Sequence, residues 1–286
     1  MANQLEKMNQ SVMTDLLVKL ETKLDADVFT YYGEIVNGME RHVKDIIETL
    51  AQDPQKHDKI YVVLTTPGGS LPPVQRMVDI LRHFYQEVNF IVPDYAYSAG
   101  TIWCMSGDNI YMNYYSTLGP IDPQVQNKDG NLVAALGYLD KINELLEKAK
   151  NHELTDAEFL ILKDFDLAEL RSYEQAKELA IDMLKIWLTK YKFKDWVKHS
   201  DGTPVTPSEK SDRAVEIAKK LSDNNLWKSH GRPIGIETLR DELHLKIRDF
   251  ETDPELNKLI GEYYDGLTEY IQRHQYKIFF QTRLYI

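Results

Sequence analysis

Ile60-Tyr61-Val62-Val63-Leu64 is a continuous apolar run rich in β-branched residues. A strand with one wet face alternates apolar and polar residues, whereas an unbroken run suits a strand covered on both faces, as in a parallel sheet. Val88 to Val92 repeats the pattern, and Asn109 to Asn113 gives a third, shorter strand. Between them lie helical spacings. Val74, Met77, Val78, Ile80, Leu81 and Phe84 share one face, and a helix of small residues starts near Ser98. Upstream, Asp27 to Tyr32 reads as a strand turned by Gly33, and Val36 to Leu50 as a helix. Strand, helix, strand, helix, strand with short connections is the pattern of right-handed βαβ units. Beyond about Leu132 the periodicities are mostly helical, over 139–150, 156–165, 167–191, 208–221 and 254–274. The expected organisation is a helical arm over 1–26, an α/β domain over 27–190 and a mostly helical region over 191–286.

Acidic residues number 45 against 34 Lys and Arg, a net charge of −11. Phosphate backbones call for a basic patch, so nucleic acid is not an expected partner. The single cysteine, Cys104, can form no internal disulfide and fits a reducing compartment. No run of about 18 apolar residues is present, and the first residues lack the apolar stretch of a signal peptide. A soluble, cytoplasmic protein is expected. No metal-binding or dinucleotide-binding spacing is found, and no cofactor is expected. The apolar segment Tyr276 to Phe280 is expected to dock on its own domain or on a partner chain.

Two turns carry the chemistry. In Thr66-Pro67-Gly68-Gly69-Ser70, proline presets φ and the glycines can take φ > 0, which leaves backbone N–H groups free at the carboxyl end of a buried strand. Ligands bind at that edge of α/β sheets. In Ala96-Tyr97-Ser98-Ala99-Gly100 a serine opens a helix. It reads either as an N-cap or as a nucleophile favoured by the helix dipole. Together the turns offer an acyl-transfer site: Ser98, with the N–H groups of Gly69 and Ala99 converging on one oxyanion. Losing one such donor costs roughly 100- to 1,000-fold in rate.

A serine hydroxyl needs a base. No histidine lies between Ser98 and Lys150, but Lys128, Lys141, Lys148 and Lys150 do. Lys141 adjoins the apolar face of Ile142, Leu145 and Leu146. A lysine base must be neutral near pH 7, about 4–5 kcal/mol of differential destabilisation, which only an enclosed site supplies. A solvated lysine on an amphipathic helix is the alternative. His230, in Ser229-His230-Gly231-Arg232-Pro233, either reaches the site or a neighbouring subunit, or bonds its loop backbone. Asp122 and Gln124 either orient groups near the site or hold the turn between Pro120 and Pro123.

Thr66-Pro67-Gly68-Gly69-Ser70, Tyr97-Ser98-Ala99-Gly100-Thr101 and Leu118-Gly119-Pro120-Ile121-Asp122-Pro123-Gln124 occur in that order. The set resembles the Clp-protease/crotonase-like superfamily. The nearest branch is the serine dehydrogenase proteinases, relatives of signal peptide peptidase A and of archaeal stomatin-cleaving serine proteases. Ser229 to Ile234 and Leu243 to Ile247 resemble that branch's C-terminal segment. The resemblance implies an α/β spiral of βαβ units with an additional mostly helical C-terminal region, and cofactor-free cleavage of a peptide or protein substrate, usually by a homo-oligomer. It implies Ser98 as nucleophile, Gly69 and Ala99 as oxyanion donors, and Gly68 as support for the turn. Clp proteases keep a histidine about where Pro123 and Gln124 stand. The stomatin-cleaving relatives use a helical lysine, which Lys141 matches, so a Ser-Lys dyad is expected. An esterase and a catalytically silent scaffold are the alternatives.

Overall fold

The computed structural model describes residues 2–122, 124–126, 132–164 and 166–286. Its elements run α1 (Ala2–Leu24), β1 (Asp27–Gly33), α2 (Met39–Ala51), β2 (Lys59–Thr65), α3 (Leu71–Phe84), β3 (Glu87–Ile91), β4 (Tyr95–Ala96), α4 (Ala99–Cys104), β5 (Asn109–Met112), β6 (Thr117–Leu118), β7 (Gln124–Gln126) and β8 (Leu132–Ala134). Then follow α5 (Ala135–Lys150), α6 (Asp156–Lys163), α7 (Leu167–Trp187) with a π-helical turn Leu188–Lys192, α8 (Pro207–Ser222), α9 (Asn224–Trp227), α10 (Ile236–Asp241), β9 (Arg248–Asp249), α11 (Pro254–His274) and β10 (Ile278–Gln281).

Among the described residues the main sheet has six strands in the order β10-β1-β2-β3-β5-β9. All neighbours are parallel except β10, which runs antiparallel to β1 with Thr30 opposite Gln281. The run Ile60 to Thr65 is buried throughout, as its lack of alternation requires. One face carries α2 and α3 over a core with Phe29, Val62, Leu64, Phe90 and Trp103. The other carries α1 and α11 over Val28, Tyr61, Val63 and Ile91. The polar N-terminal helix is anchored there by Met13, Leu17 and Leu20, each buried. The apolar tail forms β10, where Phe279 and Phe280 are covered, so it docks on its own chain. Among the described residues no helix is long and apolar enough to cross a membrane.

A second, narrower ladder crosses the carboxyl ends of these strands. Thr66 bridges Ala96 in parallel, Ala96 pairs with Leu118 in parallel, and Leu118 bridges Ile234 in antiparallel fashion. One cross-strand row therefore ties together the glycine turn, the serine turn, the third motif and the C-terminal segment.

Candidate active site

That row fixes what each following residue faces. Gly68 lies two residues beyond Thr66 and Ser98 two beyond Ala96, so the parallel pairing sets the turns side by side. A Cβ on Gly68 would lie 2.7 Å from the Tyr97 carbonyl oxygen and 2.8 Å from the Ser98 Cβ. No side chain fits there, and Gly68 has φ +103° besides. Gly69, at φ +137°, is held from the opposite side. Ile35 N–H donates to Gly68 O at 2.8 Å, and Ser70 N–H donates to Ile35 O at 2.8 Å. Both bonds skip the Gly69 N–H, which donates to no group among the described residues.

Ser98 has φ 52° and ψ −115°. A non-glycine residue rarely adopts this conformation, and it costs about 1–3 kcal/mol unless the surroundings enforce it. The enforcement comes from three contacts. Tyr97 N–H donates to Thr66 O at 2.9 Å, and Gly100 N–H donates to Tyr97 O at 2.8 Å. Gly100 in turn leaves room for the Thr66 methyl, since a Cβ there would meet Thr66 Cγ2 at 2.3 Å. By position Ser98 is the N-cap of α4, but its hydroxyl makes no capping hydrogen bond. The Ala99 N–H, at the first position of α4, has no intrahelical acceptor and donates to no group among the described residues. A half-buried hydroxyl and two free N–H groups thus share one corner of the fold.

Thr101 locks the third motif onto this corner. Its Oγ1 lies 2.8 Å from Ala96 O and 2.9 Å from Gly119 O, and it accepts from Gly119 N–H at 3.0 Å. Gly119 lies against the Tyr97 ring. Leu118 and Ile234 exchange both backbone bonds, at 3.0 and 2.8 Å. Counting outward from this antiparallel pair, Asp122 falls opposite His230. Their side chains meet: His230 Nδ1 lies 2.8 Å from Asp122 Oδ1. Asp122 is buried, and its Oδ2 has no hydrogen-bond partner among the described residues. His230 is therefore bonded to a carboxylate and not to its loop backbone.

The remaining sequence candidates stand as follows. Lys141 lies on the exposed face of α5, with its Nζ 2.9 Å from both carboxylate oxygens of Glu144. Neither Lys141 nor His230 is hydrogen-bonded to Ser98. Gln124 belongs to β7, but its side chain, like Pro123 and Lys128, lies outside the described residues. Cys104 is fully buried and burial pushes its thiol up, which makes it packing and not a nucleophile. Asp94, just before the serine turn, has its carboxyl raised by burial while the Tyr264 hydroxyl donates to it at 3.3 Å. The His230–Asp122 pair is the feature that local sequence reading does not supply. The sequence marks each residue separately, but only the Leu118–Ile234 register joins them across 108 positions.

Comparison with known proteins gives the family of the chain. The model of the ClpP-like SDH-type serine proteinase family matches residues 36–274. Two proteins of Methanocaldococcus jannaschii are 25% identical to the chain: uncharacterized protein MJ1495, over 64% of this chain and 50% of its own length, and uncharacterized protein MJ0137, over 69% and 56%. The chain thus spans about half the length of the curated relatives it matches. Among solved structures, the 1510-N membrane-bound stomatin-specific protease is similar in two forms. A lysine-to-alanine mutant in complex with a substrate peptide gives a TM-score of 0.46 at 15% identity, covering 77% of this chain and 72% of that one. A serine-to-alanine mutant gives 0.47 at 14%, covering 80% and 81%. The family match takes in both turns, the third motif and the His230 segment, and the chain belongs to the ClpP-like SDH-type serine proteinases.

Proposed function

We propose that the chain is a serine peptidase that cleaves peptide bonds through Ser98, with the Gly69 and Ala99 N–H groups holding the oxyanion. The observation that carries this reading is the Ser98 backbone. A residue held at φ 52° with an uncapped hydroxyl, directly against a glycine that only glycine can be, is costly unless the hydroxyl has a use. The strand-to-helix elbow resembles the strained turn on which other hydrolases present a serine. Attack by Oγ on the scissile carbonyl carbon would form a tetrahedral oxyanion. The leaving amine takes a proton as the acyl-enzyme forms, and water then releases the acyl group.

Two groups compete for the role of base. Lys141 is the partner of a Ser-Lys dyad. Its ion pair with Glu144 is the opposite of the apolar surroundings that activate a lysine, so this role requires the side chain to leave Glu144. His230 is favoured by its bond to Asp122, which orients the ring and leaves Nε2 to accept a proton. Fluorophosphonate labelling of Ser98, with Ser98→Ala as the blank, tests the nucleophile. Peptide turnover by Lys141→Met and His230→Gln then assigns the base, which contributes about 100- to 10,000-fold. Labelling that persists in Ser98→Ala would end the reading. Full peptide turnover in either base variant removes that residue from the mechanism, and ester turnover without peptide turnover would select an esterase.

A homo-oligomer in the cytoplasm completes the proposal. Phe159, Leu160 and Ile161 are all exposed on α6, a patch that a second copy could cover, and the lone cysteine suits a reducing compartment. Light scattering showing a monomer at working concentration would remove the oligomer.

A further inference from the structure

At the opposite end of the main sheet from Ser98, a cleft of about 770 Å³ opens beside the start of β3 and β5, a volume within the ~300–1,000 Å³ usual for small-molecule sites. Its lining is unlike the rest of the chain. Lys192, Lys194, Arg213, Lys246 and Arg248 face Glu87, Asp108 and Asp195, an excess of two cations in a protein of net charge −11. Some of that charge is already answered. Lys194 and Arg82 both pair with Asp108, at 2.6 and 2.7 Å, and Arg213 pairs with Glu216. Lys192, Lys246 and Arg248 have no carboxylate partner among the described residues. The Lys192 Nζ donates to Lys246 O at 2.8 Å, and Arg248 Nε reaches only Asn109 Oδ1 at 3.5 Å. Lys192 ends the π-helical turn Leu188–Lys192, a distortion that recurs at functional sites. Burial, followed by the neighbouring Arg248 charge, lowers its amine to about 7. Phe193 and Trp196 pack edge to face at 5.8 Å along the same wall.

We propose that this cleft is a second ligand site, separate from the Ser98 corner, that takes a small organic anion: a phosphate or carboxylate carried on a flat ring. The anion supplies the countercharge that Lys192, Lys246 and Arg248 lack, with the Arg248 guanidinium offering paired N–H donors. The ring lies against Phe193 and Trp196, where an aromatic face gains contact area and favourable edge geometry.

Calorimetric titration of the full chain with phenyl phosphate, benzoate and inorganic phosphate tests the assignment. Phenyl phosphate or benzoate is expected to bind once per chain, and the stronger of the two names the anionic group. Inorganic phosphate is expected to bind at least about tenfold more weakly than phenyl phosphate, the size of one lost contact. Lys192→Met combined with Arg248→Gln is expected to weaken binding more than tenfold, while Lys258→Met, on α11 and outside the cleft lining, leaves it unchanged. Should the double variant unfold, acetylation of Lys192 in the unaltered chain serves instead, read by mass spectrometry, with phenyl phosphate slowing it and leaving Lys258 unaffected. No saturable binding by any probe at concentrations up to about 1 mM, or binding that the double variant retains or that spares Lys192 acetylation, overturns the proposal. Equal binding of inorganic phosphate removes the ring.

Discussion

His230 Nδ1 and Asp122 Oδ1 stand 2.8 Å apart, with the carboxylate almost fully buried and the imidazole mostly covered. The pair joins two segments that the Leu118–Ile234 bridge has already brought together, so its geometry is set by backbone pairing and not by two flexible loops meeting. Replacing Asp122 by Asn keeps the shape and removes the charge. If His230 is the base, Asp122→Asn is expected to lower kcat for peptide cleavage by about 100-fold or more with little change in KM, through loss of the tautomer and of imidazolium stabilisation. A normal kcat, in a variant with an unchanged melting temperature, would make the pair purely structural.

Gly68→Ala and Gly69→Ala are expected to fail for different reasons. At Gly68 the new methyl strikes the Ser98 turn itself, and at Gly69 it strikes the Ile35 carbonyl, 2.1 Å away. Each also places an L side chain at positive φ. Each is expected to cost roughly 1–3 kcal/mol in denaturant unfolding. Each should also abolish fluorophosphonate labelling of Ser98. Normal labelling in Gly68→Ala would show that the two turns are not interdependent.

Thr101→Val is nearly isosteric and removes the hydroxyl that links Ala96, Gly119 and the helix after Ser98. Buried and with its partners left unpaired, it is expected to lose about 1–3 kcal/mol of stability. Thr101→Ser keeps the bond and should recover most of that. Equal losses for both variants, measured by urea unfolding, would assign the effect to methyl packing.

Lys192 gives a pH signature with a definite sign. The unfolded chain holds this proton up to about 10.5, whereas the folded chain releases it near 7. Between those values the unfolded state binds more protons, so the Lys192 contribution to stability climbs as pH rises. Below about 7 both states carry the proton, and the folded state bears the full cost of burying it. Wild type minus Lys192→Met, measured by urea unfolding across that window, is expected to slope upward with pH. A flat difference would mean that the amine titrates normally.

The fold was legible wherever the signal was local. Ile60 to Leu64 and Val88 to Val92 lack alternation because both faces are covered, and both form central parallel strands. The helix ends at Thr155 and Thr206 carry capping boxes written into the sequence. What depended on register was not legible. Arg248–Asp249 becomes a strand only because β5 has a free edge, and nothing in two charged residues announces it. The same holds at the site. The two glycine turns were visible as turns, and Ser98 as a helix start, but its positive φ is imposed by Thr66 and Tyr97. Lys141 had the amphipathic spacing of a half-covered residue, and Glu144, one turn on, sits close enough to bind its amine.

β10 closes the sheet against β1, and the two strands stand near opposite ends of the chain. On the ribosome, everything that forms the Ser98 corner up to Ile234 is therefore made while β1 still shows an unpaired edge. An edge of that kind invites pairing with other chains. A nascent chain stalled between Ile234 and Ile278 would hold every element of the Ser98 corner on an open, adhesive sheet, so the safe order of events during synthesis is for α11 and β10 to arrive before that corner matures.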